Sequence, residues 1–391
     1  MPDPAYPVLV IGAGPAGVAT AASLARRGIP YRLLERGETL GHSWVHLYDS
    51  LVLHTGRHMS TLPGERYPAG TPLFPSRDDF VRYLRDYAAA RGIRVETGCE
   101  VRDLRRSTHG WGVTLGDGTH VEGSAAVVCT GIIANPRRPE LPGSEGYRGR
   151  LLHSVEYRRP HDFVGKRVLV VGVGNSGGEI ASELAGAGAQ VTVLVRSGAN
   201  VVPLTIAGVP IQYLSYVLRA LPRRAQEWVS RRVQRITDRR RGPPVIPRPA
   251  HSPLDAIPII GFHLVDAITA GRVAVRLGTI DHLTSDGAVF SDGTSAPFDA
   301  IILATGFAPA LGMLGDLVQR DGRGFAQRRD RVTSADQPGL YFVGHNYDAT
   351  GGLANIKRDA VLAAERIAWC RRREGEMQRE RARRVMRESG A

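Results

Sequence analysis

One pattern occurs twice in this chain and limits the folds open to it. Residues 6–36, YPVLVIGAGPAGVATAASLARRGIPYRLLER, open on an apolar run from Val8 to Ile11. They pass through Gly12, Gly14 and Gly17 in G-x-G-x-x-G spacing and continue as an alanine-rich helical pattern, opened by Pro15 and Ala16, to about Arg27. A second apolar run ends in Glu35 and Arg36. Residues 166–197, KRVLVVGVGNSGGEIASELAGAGAQVTVLVRS, repeat the plan with a strand from Val168 to Val171, then Gly172, Gly174 and Gly177. Asn175 and Ser176 open the helix, and Arg196 and Ser197 close the second strand. The first glycine of such a set permits a tight strand-to-helix turn. The second lets backbone amides approach a pyrophosphate, and the third lets the helix pack close to the strand. The helix N-terminus adds a partial positive charge that suits a diphosphate.

The two copies differ where it matters chemically. A carboxylate at the end of the second strand accepts hydrogen bonds from ribose hydroxyls, whereas a guanidinium there pairs with a 2′-phosphate. Glu35 therefore assigns FAD to the first elbow and Arg196 assigns NADPH to the second; the other reading of Arg196 is an ordinary solvated arginine. Each elbow is followed by the same accessory pattern. GDGTHVEGSAAVVCTG runs to Thr130 and Gly131, and SDGTSAPFDAIILATG runs to Thr305 and Gly306. Both carry a D-G hairpin signal and then an apolar return strand. The duplication predicts an α/β chain of two Rossmann-like dinucleotide-binding domains, the NADP domain inserted into the FAD domain. The boundaries expected are 1–158 and 304–391 for the two parts of the FAD domain and 159–303 for the NADPH domain. A helical excursion falls at about 205–255, and the chain ends in a basic helix.

Composition excludes several alternatives. The formal net charge of +13 comes almost wholly from arginine, since the only lysines are Lys166 and Lys357. The arginines are scattered, without the aromatic platform or zinc-finger spacing of a nucleic-acid binder. Cys99, Cys129 and Cys370 form no C-x-x-C pair, so no disulfide framework, metal cluster or dithiol centre is expected, and a cytoplasmic protein fits. No run approaches the roughly 20 apolar residues of a membrane span. There is no nucleophile elbow, and His54 and His58, four apart, lack a third ligand. In the excursion, Ile211, Leu214, Leu218 and Leu221 suggest one amphipathic helix, and Trp228, Val229, Val233 and Ile236 a second with a basic face. It reads as a substrate lid, as a membrane-touching element or as a packed surface excursion.

Further stretches carry a resemblance over essentially the whole chain. GHSWVHLYDSLVLHT (41–55), FPSRDDFVRYLRDYA (74–88), VGVGNSGGEIA (171–181) and GLYFVGHNYDATGGL (339–353) join a signature between the two elbows. That signature reads Tyr147-x-Gly149-x-x-x-His153-x-x-x-Tyr157. The chain resembles class B flavin-dependent monooxygenases, and most closely their plant YUCCA-type branch. It has Tyr where the family signature begins with Phe. Tyr157 followed by Arg158 points away from Baeyer–Villiger enzymes, which carry Trp or Pro followed by Asp.

The resemblance implies an FAD-containing enzyme in which NADPH reduces the flavin and O2 forms a C4a-hydroperoxide that oxygenates a small organic substrate. N- or S-oxygenation and YUCCA-like oxidative decarboxylation of a 2-oxo acid both stay open. The alternatives are an NADPH-dependent flavin reductase without oxygen insertion and a non-catalytic nucleotide sensor. His54 and Thr55 are implied to contact the flavin C4a region, and Ser43 and Trp44 to line the ring; His54 and Trp44 also read as packing residues. Gly344 is implied to approach the flavin, although His345 stands where the wider superfamily has an acidic residue. His54, Asn175 and His153 are the residues implied to take part in the chemistry. For His153, in what reads as a linker loop, a satisfied domain-crossing histidine is an equal reading. No metal, nucleic acid or integral membrane segment is expected, and the oligomeric state is left between monomer and homodimer.

Overall fold

The computed structural model describes residues 5–250, 252, 254, 258–348 and 351–388. Its contacts divide the chain into two compact units, residues 1–45, 57–135 and 308–391 in one and residues 46–56 and 136–307 in the other.

The first unit is built on a parallel sheet in the order Leu340–Phe342, Ala125–Val128, Val8–Ile11, Tyr31–Leu34. Val8–Ile11 and Ala125–Val128 are buried throughout, as a strand covered on both faces requires. Pro15–Ala25 packs on one face; its alanines and Gly17 let it lie close. The helix Arg77–Ala90 begins at Ser76, whose side chain accepts from the Asp79 amide while Asp79 reaches back to the Ser76 amide. This capping box starts the helix, and Phe80, Leu84 and Tyr87 are buried on one face. The antiparallel sheet Val101–Ser107, Gly110–Leu115, His120–Gly123 carries the first D-G turn, with Gly118 at φ 87°. The last helix runs Gly352–Glu388.

The second unit repeats the architecture. Its parallel sheet has the order Val273–Leu277, Gln190–Val195, Arg167–Val171, Ala300–Leu303, Arg150–His153, with a three-stranded antiparallel sheet containing Gly287–Phe290 and Ser295–Pro297. The expected amphipathic helices of the excursion are present as Ile211–Leu218 and Arg223–Arg241, although Leu221 lies in the turn between them. The helix Arg223–Arg241 leaves Trp228 and Ile236 exposed. No helix among the described residues is long and apolar enough to cross a membrane.

Two expectations differ from this arrangement. The signature stretch is not a linker loop: Arg150–His153 is an edge strand, parallel to Ala300–Leu303. Leu152, buried against the sheet, and the hydroxyl of Tyr147, donating to the Phe298 carbonyl at 2.8 Å, hold it there. Consequently the contact boundary falls between Asn135 and Pro136 rather than after Arg158, and 46–56 joins the second unit. Arg158 explains that capture: it donates to the Leu47 carbonyl at 2.9 Å, pairs with Asp49 at 3.1 Å and accepts from the Asp49 amide at 2.9 Å.

Candidate active site

The first unit holds a cavity of about 360 Å³ lined by Gly12, Gly14, Pro15, Ala16, Glu35, Arg36, Ser43, Trp44, Thr130, Gly131 and Gly344. Residues singled out from five separate places in the sequence thus face one space. The elbow is shaped by sterics. Gly12 turns at φ 98° with its Cα hydrogens against the Cys129 carbonyl, and a Cβ on Gly17 would stand 1.8 Å from the Gly12 oxygen. A Cβ on Gly14 would meet nothing within 4 Å, so this position is open toward the cavity. Gly14 also caps the helix Pro15–Ala25 without a side-chain partner, leaving the first helical amides free for an anion.

Glu35 is 8% exposed and accepts from the Ala13 amide at 2.7 Å and the Gly37 amide at 2.9 Å. Each carboxylate oxygen retains a lone pair for a hydroxyl donor. The cavity therefore has an open anion-binding helix end and, beside it, a buried acceptor pair, which is the donor and acceptor set a dinucleotide's diphosphate and ribose need. Trp44 stacks at a tilt on Phe80, ring centroids 4.4 Å apart, so its ring is both packed and cavity-lining. Thr130 donates to the Ala310 carbonyl at 2.7 Å, tying the return loop to the opposite wall. Sequence reasoning missed Cys99, Ile132–Asn135, Met313, Tyr347 and Ile356, which also line the cavity. Only 132–135, directly after Cys-Thr-Gly, carried a local signal. Of the A-T-G-G stretch that precedes the last helix, Ala349 and Thr350 lie outside the described residues.

The second elbow repeats the first glycine by glycine. Gly172 turns at φ 102° against the Ala304 carbonyl, a Cβ on Gly177 would stand 2.2 Å from the Gly172 oxygen, and Gly174 again opens on empty space. Arg196 and Ser197 are exposed at the end of the strand Gln190–Val195. Asn175 is committed within the protein: it donates to the Pro258 carbonyl at 3.1 Å and accepts from the Ile260 amide at 2.8 Å. Thr305 donates to the Arg137 carbonyl at 2.5 Å, and Gly306 turns at φ 83°.

His153 is fully buried, with both ring nitrogens engaged. Nδ1 accepts from the Val155 amide at 3.2 Å and Nε2 faces the Gly306 carbonyl at 3.1 Å, so Nε2 carries the hydrogen. Burial, reinforced by Arg138, holds its pKa below the usual histidine range. Its ring meets Phe307 edge-on at 5.1 Å. That geometry is a brace between the edge strand and the return loop. Thr55 lies in the same 46–56 segment as His54. The imidazole of His54 pairs through Nε2 with Glu179, and Tyr48 donates to the same carboxylate. His54 and Asn175 thus border the same helix, Asn175–Gly186, while His153 ends the strand Arg150–His153 and packs against the return loop. Tyr157, the last residue of the signature, donates to Glu183 one turn further along, at 2.9 Å. Among the described residues no group of three or more His, Cys, Asp or Glu could hold a metal.

The sequence profile of the flavin-binding monooxygenase-like family matches residues 5–323. The chain belongs to this family. Rice indole-3-pyruvate monooxygenase YUCCA1 is 34% identical over 373 residues, covering 92% of this chain and 90% of that protein. The structure of a flavin-containing monooxygenase from Stenotrophomonas maltophilia superposes with a TM-score of 0.72 at 25% identity, covering 95% of this chain and all of that one. Cyclohexanone monooxygenase from Rhodococcus sp. Phi1, bound to NADP+, shares the fold with a TM-score of 0.73 at 17% identity, over 95% and 85% of the two chains. This member of the flavin-binding monooxygenase-like family is an oxidoreductase that uses FAD, NADPH and O2 on a small-molecule substrate. Two Rossmann-type units, parallel sheets and duplicated elbows are its architecture.

Proposed function

We propose that this flavin monooxygenase oxygenates a 2-oxo acid, releasing CO2 and the carboxylic acid one carbon shorter. The observation that carries this reading is the similarity over nine-tenths of both chains to an indole-3-pyruvate monooxygenase. The balance is one 2-oxo acid, one O2, one NADPH and one proton giving the shortened acid, CO2, NADP+ and water. One oxygen atom of O2 enters the acid and the other leaves as water. In this reading the cavity of the first unit holds FAD, with the diphosphate at the helix end behind Gly14 and a ribose at Glu35, and the second elbow holds NADPH, with Arg196 on the 2′-phosphate. The chemistry supplied by FAD, when bound, is transfer of two electrons from NADPH to O2 and activation of the oxygen for transfer.

The chain's own residues have separate tasks. Ser43 and Trp44 line the ring end of the cavity and exclude water. His54 and Thr55 are assigned, on the resemblance alone, to the proton transfer that accompanies oxygenation. His153 braces the strand that carries the signature. No protein nucleophile is required, as for other enzymes whose cofactor carries the reaction. The test is a panel of indole-3-pyruvate, phenylpyruvate, tertiary amines and thioethers, scored by product formed per NADPH oxidised. Coupled turnover of 2-oxo acids supports the reading; coupled turnover confined to amines or thioethers overturns it. Cytoplasmic residence belongs to the same reading, from the three cysteines outside any dithiol pair, and cell fractionation tests it. Sizing chromatography distinguishes the monomer from the homodimer.

A further inference from the structure

The pairing around Glu179 was not legible in the sequence. This residue sits at the second turn of the helix Asn175–Gly186, with 18% of its side chain exposed against 22% for His54. One carboxylate oxygen meets Nε2 of His54 and the other meets the Tyr48 hydroxyl. As a carboxylate Glu179 can only accept. The hydrogen of the first pair therefore belongs to His54 Nε2 and that of the second to Tyr48. Burial, followed by the charge of Glu179, raises the pKa of Tyr48, so the phenol keeps its proton and remains a donor. His263 lies close enough to feel both Glu179 and His54, and burial lowers its pKa, so at neutral pH it brings no competing cation. Nδ1 of His54 has no hydrogen-bond partner among the described residues.

We propose that Glu179 is a positioning residue that fixes His54 as the Nε2–H tautomer and leaves Nδ1 as the nitrogen offered to the reaction. A ring nitrogen with a partner of fixed polarity dictates the state of the other nitrogen. The role in turnover rests on the reading that His54 stands at the reacting end; the tautomer itself does not.

The test uses the FAD-loaded enzyme and 15N NMR of its histidine rings at about pH 8.5, where an ordinary imidazole is neutral. The His54 signals are assigned by their loss in His54→Phe. The proposal expects a proton-bearing Nε2 and a bare Nδ1 in the wild type. Glu179→Gln offers an amide that accepts from Tyr48 and donates to His54, so the hydrogen moves to Nδ1 while the fold is kept. Turnover should fall on the order of 10²-fold, with the NADPH KM within about twofold and the FAD content unchanged. A bare Nε2 in the wild-type spectrum overturns the proposal without any variant. A reversed tautomer in Glu179→Gln with unchanged turnover reduces Glu179 to a structural role. Unchanged turnover in His54→Phe removes His54 from the reaction, which is failure of the functional reading rather than of the tautomer assignment.

Discussion

Gly149→Ala probes why the signature needs a glycine. A Cβ at this position would stand 2.2 Å from the Tyr147 hydroxyl oxygen and 2.3 Å from the carbon bearing it, with the Asp299 carbonyl at 2.9 Å. The backbone is not strained there, so the cost comes from displacing the Tyr147 ring. That ring is 9% exposed, packs with Leu169, Phe290 and Phe298, and donates to the Phe298 carbonyl. Losing the hydrogen bond costs about 1 kcal/mol. Uncovering half of a ring that buries about 200 Å² costs about 2.5 kcal/mol at roughly 25 cal/mol/Å². Gly149→Ala should therefore destabilise by about 3.5 kcal/mol, read as a lower urea midpoint by circular dichroism. In a Tyr147→Ala background the ring is already gone and the same change should cost under about 1 kcal/mol, a coupling of about 2.5 kcal/mol or more. An equal cost in both backgrounds, or a cost under about 0.5 kcal/mol in the wild type, would refute the idea that the first aromatic of the signature closes over its glycine.

Other outcomes follow from the two elbows and the buried histidines. Gly174→Ala should leave the melting temperature unchanged, because nothing lies within 4 Å of its Cβ, while raising the NADPH KM at least about tenfold. Gly177→Ala should lower the melting temperature as well, since its Cβ meets backbone. Glu35→Gln turns one acceptor into a donor facing either the Ala13 or the Gly37 amide, and should weaken FAD binding to the apoprotein by about 10- to 100-fold. His153, His263 and His345 all have pKa values lowered chiefly by burial, His345 to about 4. The unfolded chain protonates its histidines near 6.5, so it takes up protons that the fold does not. Stability is complete above about pH 6.5 and is lost as pH falls toward 4. The urea midpoint should drop between pH 7.5 and 5, and His345→Gln should flatten the drop; a flat wild-type profile would contradict it.

The elbows were legible because they depend on local sterics: a glycine that turns at positive φ and another that lets a helix touch a strand leave the same spacing wherever they occur. The Ser76 cap and the apolar face of Phe80, Leu84 and Tyr87 were legible for the same reason. The signature was recognised as a pattern and misread as a loop, since four residues, Arg150–His153, give little periodicity and their pairing partner lies about 150 residues later at Ala300–Leu303. The boundary at Asn135 was hidden for a related reason. Arg158 and Asp49 look like ordinary surface charges until the fold sets them together and brings 46–56 into the second unit. Nothing in the local sequence marks Glu179 and Glu183, and only the arrival of Tyr48, His54 and Tyr157 from two other segments gives them partners.

The most direct test supplies the purified enzyme with NADPH, 18O2 and each member of the substrate panel in turn, indole-3-pyruvate and phenylpyruvate first, and follows the mass of the product together with NADPH consumed. The account predicts that a 2-oxo acid of the panel gives the one-carbon-shorter acid carrying one 18O atom, with one NADPH oxidised for each product formed. NADPH oxidation that yields hydrogen peroxide and no labelled product with any member of the substrate panel would contradict it and leave a flavin reductase in its place.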